Sequence, residues 1–124
     1  MDGDVLLFFA GKPEALAIYA ALLELLEPLG EFTVKAHKTQ LSLKNRRVFA
    51  CVSFLRPLRK ARMPERFLTL TLGLPCPPGS PRAAASVEVR PGHWTHHIVL
   101  AGPEELDGEL RSLLREAWDF GNRP

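Results

Sequence analysis

At Glu31 the hydrophobic period of this chain changes, and that change limits the fold more than any other feature of the sequence. Before it, Leu16, Tyr19, Leu22, Leu23, Leu26 and Leu29 recur at steps of three and four, the spacing of one face of an amphipathic helix. Pro13 suits the first helical position, where its fixed φ fits and its missing N–H leaves no bond unmade. Gly30 fits the left-handed residue that ends a helix, and Pro28 tightens the last turn. After Glu31 the period is two. Phe32, Val34 and Ala36 alternate with Thr33 and Lys35, and Leu41 and Leu43 alternate with Gln40, Ser42 and Lys44. Alternation of this kind marks strands with one buried face.

The strand signals continue to residue 100. Lys44-Asn45-Arg46-Arg47 is a polar break, and Val48 to Leu55 is a continuous β-prone run expected at the centre of a sheet. Arg56 to Pro64 is a basic loop. Phe67 to Leu74 resumes as strand, with Leu68, Leu70 and Leu72 on one face and Phe67, Thr69 and Thr71 on the other. Pro75 to Pro81 carries four prolines and is expected as an exposed, mobile loop. Val87 and Val89 mark a short strand, Pro91-Gly92 a turn, and Trp94 to Leu100 the second arm of a hairpin. Gly102-Pro103-Glu104-Glu105 is expected to open the last helix, with Leu106, Leu110, Leu113, Leu114, Ala117 and Trp118 as its apolar stripe and Gly121 as its stop. Helix, about five strands, helix, with connections too short for helical crossovers, predicts an α+β two-layer sandwich. Its mostly antiparallel sheet packs on an N-terminal and a C-terminal helix. Without repeats or a composition break, residues 1–124 are expected to form one domain.

No apolar run reaches the roughly 20 residues of a membrane span, and Val5 to Ala10 follows acids rather than a positive n-region. A cytoplasmic location is therefore expected. In a reducing compartment a disulfide between Cys51 and Cys76 is disfavoured. No C-x-x-C spacing and no histidine near Cys51 points to a metal, so the reading carries no metal and no cofactor.

Charge is unevenly distributed. Residues 35–66 hold ten basic side chains and one acid, Glu65, while the flanking segments are net acidic. Such a bias fits an anionic partner. On the second strand, with Leu41 and Leu43 inward, Lys38, Gln40, Ser42 and Lys44 share the opposite face, a row of donors suited to anions. Lys44, Arg46, Arg59, Lys60 and Arg62 are candidates for a basic surface, and Arg56 and Arg66 extend the run. The flanking acids offer the alternative that part of this charge is answered inside the fold.

Three of the four histidines lie in Gly92-His93-Trp94-Thr95-His96-His97. Alternation puts His96 with Trp94, Ile98 and Leu100, and His97 with Thr95 and Val99 on the other face. His96 and His97 therefore cannot chelate one ion from a regular strand. A hydrogen-bonded core residue is the plain reading of His96. His97 is the candidate general acid/base. No nucleophile elbow, P-loop or dinucleotide fingerprint occurs. Glu88-Val89-Arg90 lacks the second strand-borne acid that a nuclease metal site needs.

Several segments together resemble a known family. Phe9-Ala10-Gly11-Lys12-Pro13-Glu14 resembles an F-x-G-x-P-E opening, Lys38-Thr39-Gln40 a K-T-Q segment and Arg47-Val48-Phe49-Ala50 an R-x-F-A strand. Trp94-Thr95-His96-His97 resembles a W-T-H-H stretch, and Leu106-Asp107-Gly108-Glu109-Leu110 an L-D-x-E-L helix start. These belong to a family of small bacterial α+β domains of unknown function, some attached to predicted transport or nuclease-like proteins. The resemblance implies a fold and a shared residue set, including Lys38, Thr39, Gln40, Arg47, Phe49, Trp94, His96 and His97, but no activity.

The favoured expectation is a non-enzymatic binding module, with Lys38, Gln40, Arg47, His96 and His97 as ligand-binding candidates for an anionic small molecule or a protein partner. Nucleic-acid binding through residues 35–66 is the alternative, weakened by few aromatics for stacking in that segment. A small enzyme with His97 as base and Lys38 or Arg47 stabilising negative charge is another. A homodimer through Phe67, Val99 and Cys51 or Val52 is a further expectation.

Overall fold

The computed structural model describes residues 2–124. Six strands, one more than the sequence count, form a single antiparallel sheet. They are β1 (Thr33–Ala36), β2 (Gln40–Lys44), β3 (Val48–Ser53), β4 (Leu68–Leu74), β5 (Ala83–Arg90) and β6 (His93–Leu100), in the order β1-β2-β3-β4-β6-β5. The inversion at the end places the histidine-bearing β6 between β4 and β5. Three helices accompany the sheet: α1 (Gly3–Phe8), α2 (Pro13–Leu26) and α3 (Gly108–Gly121).

Proline and glycine delimit α2 as expected. Pro13 is its first residue, and Glu27–Leu29 tighten into a 3-10 turn around Pro28. Gly30 follows at φ 146°, a conformation open to glycine and few other residues. The last helix begins later than Pro103. Residues Pro103–Glu105 form only a 3-10 turn, and α3 starts at Gly108 because the Asp107 carboxylate accepts the Leu110 N–H at 3.1 Å. A side-chain cap satisfies an N–H that has no helical partner, which proline cannot do. The short α1 has the same device, Asp2 accepting from the Asp4 N–H at 2.8 Å, and the sequence reading assigned no helix there.

The core lies between one sheet face and α2 and α3. Leu41, Leu43, Ala50, Val52, Leu68, Leu70, Leu72, Ile98 and Leu100 meet Ile18, Leu22 and Leu26 of α2 and Leu110, Leu114 and Ala117 of α3, all buried. Each such leucine contributes about 1.5–3 kcal/mol by leaving water. Val52 is fully buried here, so of the alternatives Cys51 or Val52 in the expected open-face interface with Phe67 and Val99, only Cys51 faces outward. At one end Phe32, Phe49 and Trp118 pack edge to face, with Gly30 against the Trp118 ring.

Candidate functional site

The second sheet face carries a polar row that the ladder lines up. Ser42 pairs with Cys51, Cys51 with Thr71 and Thr71 with His97, so four neighbouring strands each set one polar side chain in register. The Thr71 hydroxyl lies 2.8 Å from His97 Nδ1. Burial, with the neighbouring His96 adding to it, holds the His97 ring below its ordinary pKa, which favours the neutral imidazole. Burial pushes the Cys51 thiol up, partly offset by a hydrogen bond from Ser42. The row is therefore polar and uncharged near neutral pH.

A concavity of about 900 Å³ opens over part of this row. Cys51, Thr71 and His97 lie at its floor. The β1–β2 turn supplies His37, Lys38 and Thr39, and β2 supplies Gln40. Leaving β3, the chain turns over the open face, and the Leu55 carbonyl accepts the Thr69 hydroxyl at 2.6 Å. Phe54 and Leu55 thereby become a wall. Asp4, Leu7 and Phe8 of α1 continue that wall, with Phe8 stacked on Phe54 at 5.2 Å. Lys12 Nζ sits 4.5 Å from the Phe54 ring centre, within cation–π range. Val5 and Phe9 are buried and seat α1 so that Leu7 and Phe8 face this space.

Of the sequence candidates, Lys38, Gln40 and His97 come together here, and Arg47 and His96 do not. Arg47 stands at the far end of the sheet, where its guanidinium donates to the Arg123 carbonyl at 2.6 Å. Beside it the Asn45 amide donates to the Trp118 carbonyl at 2.9 Å. This turn holds the chain end against the sheet. His96 faces the helix layer at 2% exposure. Its Nε2 lies 3.0 Å from the Cys76 carbonyl oxygen, and Ser86 Oγ lies 3.1 Å from Nδ1. A carbonyl only accepts, so Nε2 carries the hydrogen and Nδ1 accepts from Ser86 in the neutral ring. His96 thus ties the proline-rich connection to β6.

The basic third of the chain divides in two. Successive connections of an antiparallel meander lie at opposite ends of the sheet. Lys44, Arg46 and Arg47 sit at the β2–β3 turn, and Arg56, Arg59, Lys60, Arg62 and Arg66 in the β3–β4 connection. The six residues of β3 separate the groups by roughly 20 Å. Among the described residues, Arg66 alone of the ten basic residues in 35–66, Lys35 and Lys38 included, lies within ion-pair distance of a carboxylate, Glu14 at 3.4 Å. The main ion cluster lies elsewhere, where Arg82 meets Asp107 and Glu109 at 3.1 and 3.3 Å. The expected internal neutralisation of the basic third is thus confined to one exposed pair.

Sequence reading did not assign Cys51, Thr71, Phe8, Leu55 and Lys12 to one site. Parity alone puts Cys51, Thr71 and His97 on one face. Their alignment needed the strand order, and the cavity walls needed α1 and the path of Phe54 and Leu55. Both cysteines are free thiols, Cys51 half-buried and Cys76 exposed. Among the described residues, no helix is long and apolar enough to cross a membrane.

These features define a two-layer α+β domain whose antiparallel sheet has α2 and α3 on one face and a half-enclosed cavity, bordered by α1, at one end of the other. The chain belongs to the family described as Domain of unknown function (DUF5655), whose model matches residues 7–121. No match was found among curated proteins or among solved structures.

Proposed function

We propose that this domain is a non-enzymatic binding module that takes a small anionic molecule into the cavity at the end of the open sheet face. The supporting observation is the convergence of Lys38, Gln40 and His97, from a turn and two strands, around one space of about 900 Å³. That volume lies within the range of small-molecule sites. Lys38 and Lys12 supply positive charge at the rim, against Asp4 as the one acid lining it among the described residues. Gln40, Thr71 and His97 supply hydrogen-bonding groups that fix orientation. Arg47 and His96 have structural partners and no part in this reading.

The test is thermal stabilisation of the wild-type chain and Lys38→Ala by a panel of inorganic and organic anions, at low and high salt. At least one anion should raise Tm, and the effect should shrink with salt and in the variant. A flat response across the panel overturns the proposal. The division of the basic residues between two sheet ends argues against one continuous nucleic-acid surface. Retention of RNA or DNA at low salt, lost steeply as salt rises, would reverse that preference.

One observation favours a second reading, general base chemistry at His97. A neutral imidazole held at Nδ1 by Thr71 is in the form a base requires. A pH–rate profile that loses its acidic limb in His97→Gln is the corresponding test.

A further inference from the structure

The cavity constrains more than the sign of its ligand's charge. Its walls carry exposed apolar surface that is unusual for this molecule. Leu7 is 74% exposed and Leu55 49% exposed, two of its few exposed large hydrophobics, and both border the same space. Phe8 and Phe54 line it too, stacked with their planes 18° apart so that each ring covers one face of the other, and they continue the apolar wall. A solvent-exposed apolar wall around a concavity marks a ligand or partner surface, and a half-enclosed volume of about 900 Å³ fits a small molecule.

The charges lining the cavity are few. Among the described residues Lys12 and Lys38 are opposed by Asp4, a net of one positive charge with the lining His37 and His97 counted as neutral. The floor adds none while His97 stays neutral. A single negative charge is matched by this set, whereas a second would lose water without a partner. The positions matter as well as the count. Lys12 Nζ lies over the Phe54 ring, so the site for a charged head adjoins the apolar wall directly. A compact inorganic anion would leave that wall in water.

Resting on the anion-binding reading above, we infer that the ligand class is an amphipathic monoanion. Its one acidic head lies between Lys12 and Lys38, and its apolar body lies along the wall of Leu7, Phe8, Phe54 and Leu55. The hydrogen-bonding floor of Cys51, Thr71 and His97 meets the far edge of that body and accepts a polar substituent there.

The experiment is calorimetric titration of the full chain at low salt with four probes: 2-naphthoate, its uncharged amide, naphthalene-2,6-dicarboxylate and inorganic phosphate. Naphthoate should bind, the amide should bind about tenfold more weakly or worse, and the dicarboxylate should gain nothing over naphthoate. Phosphate should give no heat. Lys38→Ala and Leu55→Ser, both at exposed positions, should keep the wild-type Tm and each weaken naphthoate about tenfold. Phosphate or the dicarboxylate binding more tightly than naphthoate, with Leu55→Ser silent, overturns the ligand class and leaves the anion site standing. Amide and acid binding equally, or no probe binding at millimolar concentration, overturns both.

Discussion

His96 and His97 are neighbours in sequence on opposite faces of the sheet, and separate substitutions divide them. His96→Leu keeps apolar bulk on the helix-side face and deletes both ring nitrogens. At 2% exposure the ring bridges the Cys76 carbonyl and the Ser86 hydroxyl. A hydrogen bond contributes about 1 kcal/mol net, and a buried partner left without one costs about 1–3 kcal/mol. Here the two orphans sit on an exposed residue and a half-buried one. A small movement of the 75–82 connection lets water reach them, and leucine recovers some stability through apolar burial. The balance is a loss of about 1–2 kcal/mol, which corresponds to roughly 4–8 °C in Tm for a domain of this size. His97→Gln, on the open face with glutamine able to reach Thr71, should lose under about 0.5 kcal/mol. Urea titration and scanning calorimetry read both values, and ligand titration should show the reverse order. His96→Leu with wild-type stability but abolished binding would refute the assignment. So would His97→Gln unfolding more easily than His96→Leu.

The remaining predictions concern titration, reactivity and backbone. Because burial lowers the His97 pKa, the unfolded chain takes up that proton first as pH falls. The stability from His97 is therefore complete above about pH 6.5 and declines below it. In His97→Gln the slope of stability against pH just below 6.5 should be shallower, and an unchanged slope removes His97 as its source. An alkylating reagent should modify exposed Cys76 before Cys51, whose thiol is pushed up by burial. Peptide mass mapping reads the order, and a bound ligand should slow Cys51 selectively. Tyr19 is the chain's one tyrosine, and burial raises its pKa from 10.0 to about 12. Its phenolate absorbance should thus appear only with unfolding, and a free titration near pH 10 would contradict its place in the core. A Cβ at Gly30 would stand 3.0 Å from the Trp118 ring at φ 146°, so Gly30→Ala should cost about 1–3 kcal/mol. A neutral result in urea unfolding would show that the turn relaxes freely.

Much of the layer architecture was legible because apolar spacing reports local periodicity. Pro13, Pro28 and Gly30 marked the ends of α2, and parity alone separated His96 from His97. The cavity was less legible because its parts depend on long-range order. Val5 to Phe9 is too short for periodicity to distinguish helix from strand, and the Asp2 cap that decides it is a single hydrogen bond. Strand order is invisible to parity, so the Ser42–Cys51–Thr71–His97 alignment appears only once β6 is paired with β4. Arg47 looked like a ligand group because its partner is a backbone carbonyl 76 residues away. Asp107 stood within the expected last helix, and only its bond to the Leu110 N–H shows that the helix begins there.

The position of α1 has a practical consequence for handling the protein. Asp4, Leu7 and Phe8 border the cavity, whereas Arg47 and Asn45 secure the C-terminal residues at the opposite end of the sheet. A segment fused ahead of α1 starts beside the cavity mouth, while one fused after residue 124 starts at the other end of the sheet. Tags, immobilisation linkers and fluorescent reporters of occupancy therefore have opposite best placements. On the anion-binding proposal, a capture handle belongs at the C-terminal end and an environment-sensitive dye at the N-terminal one.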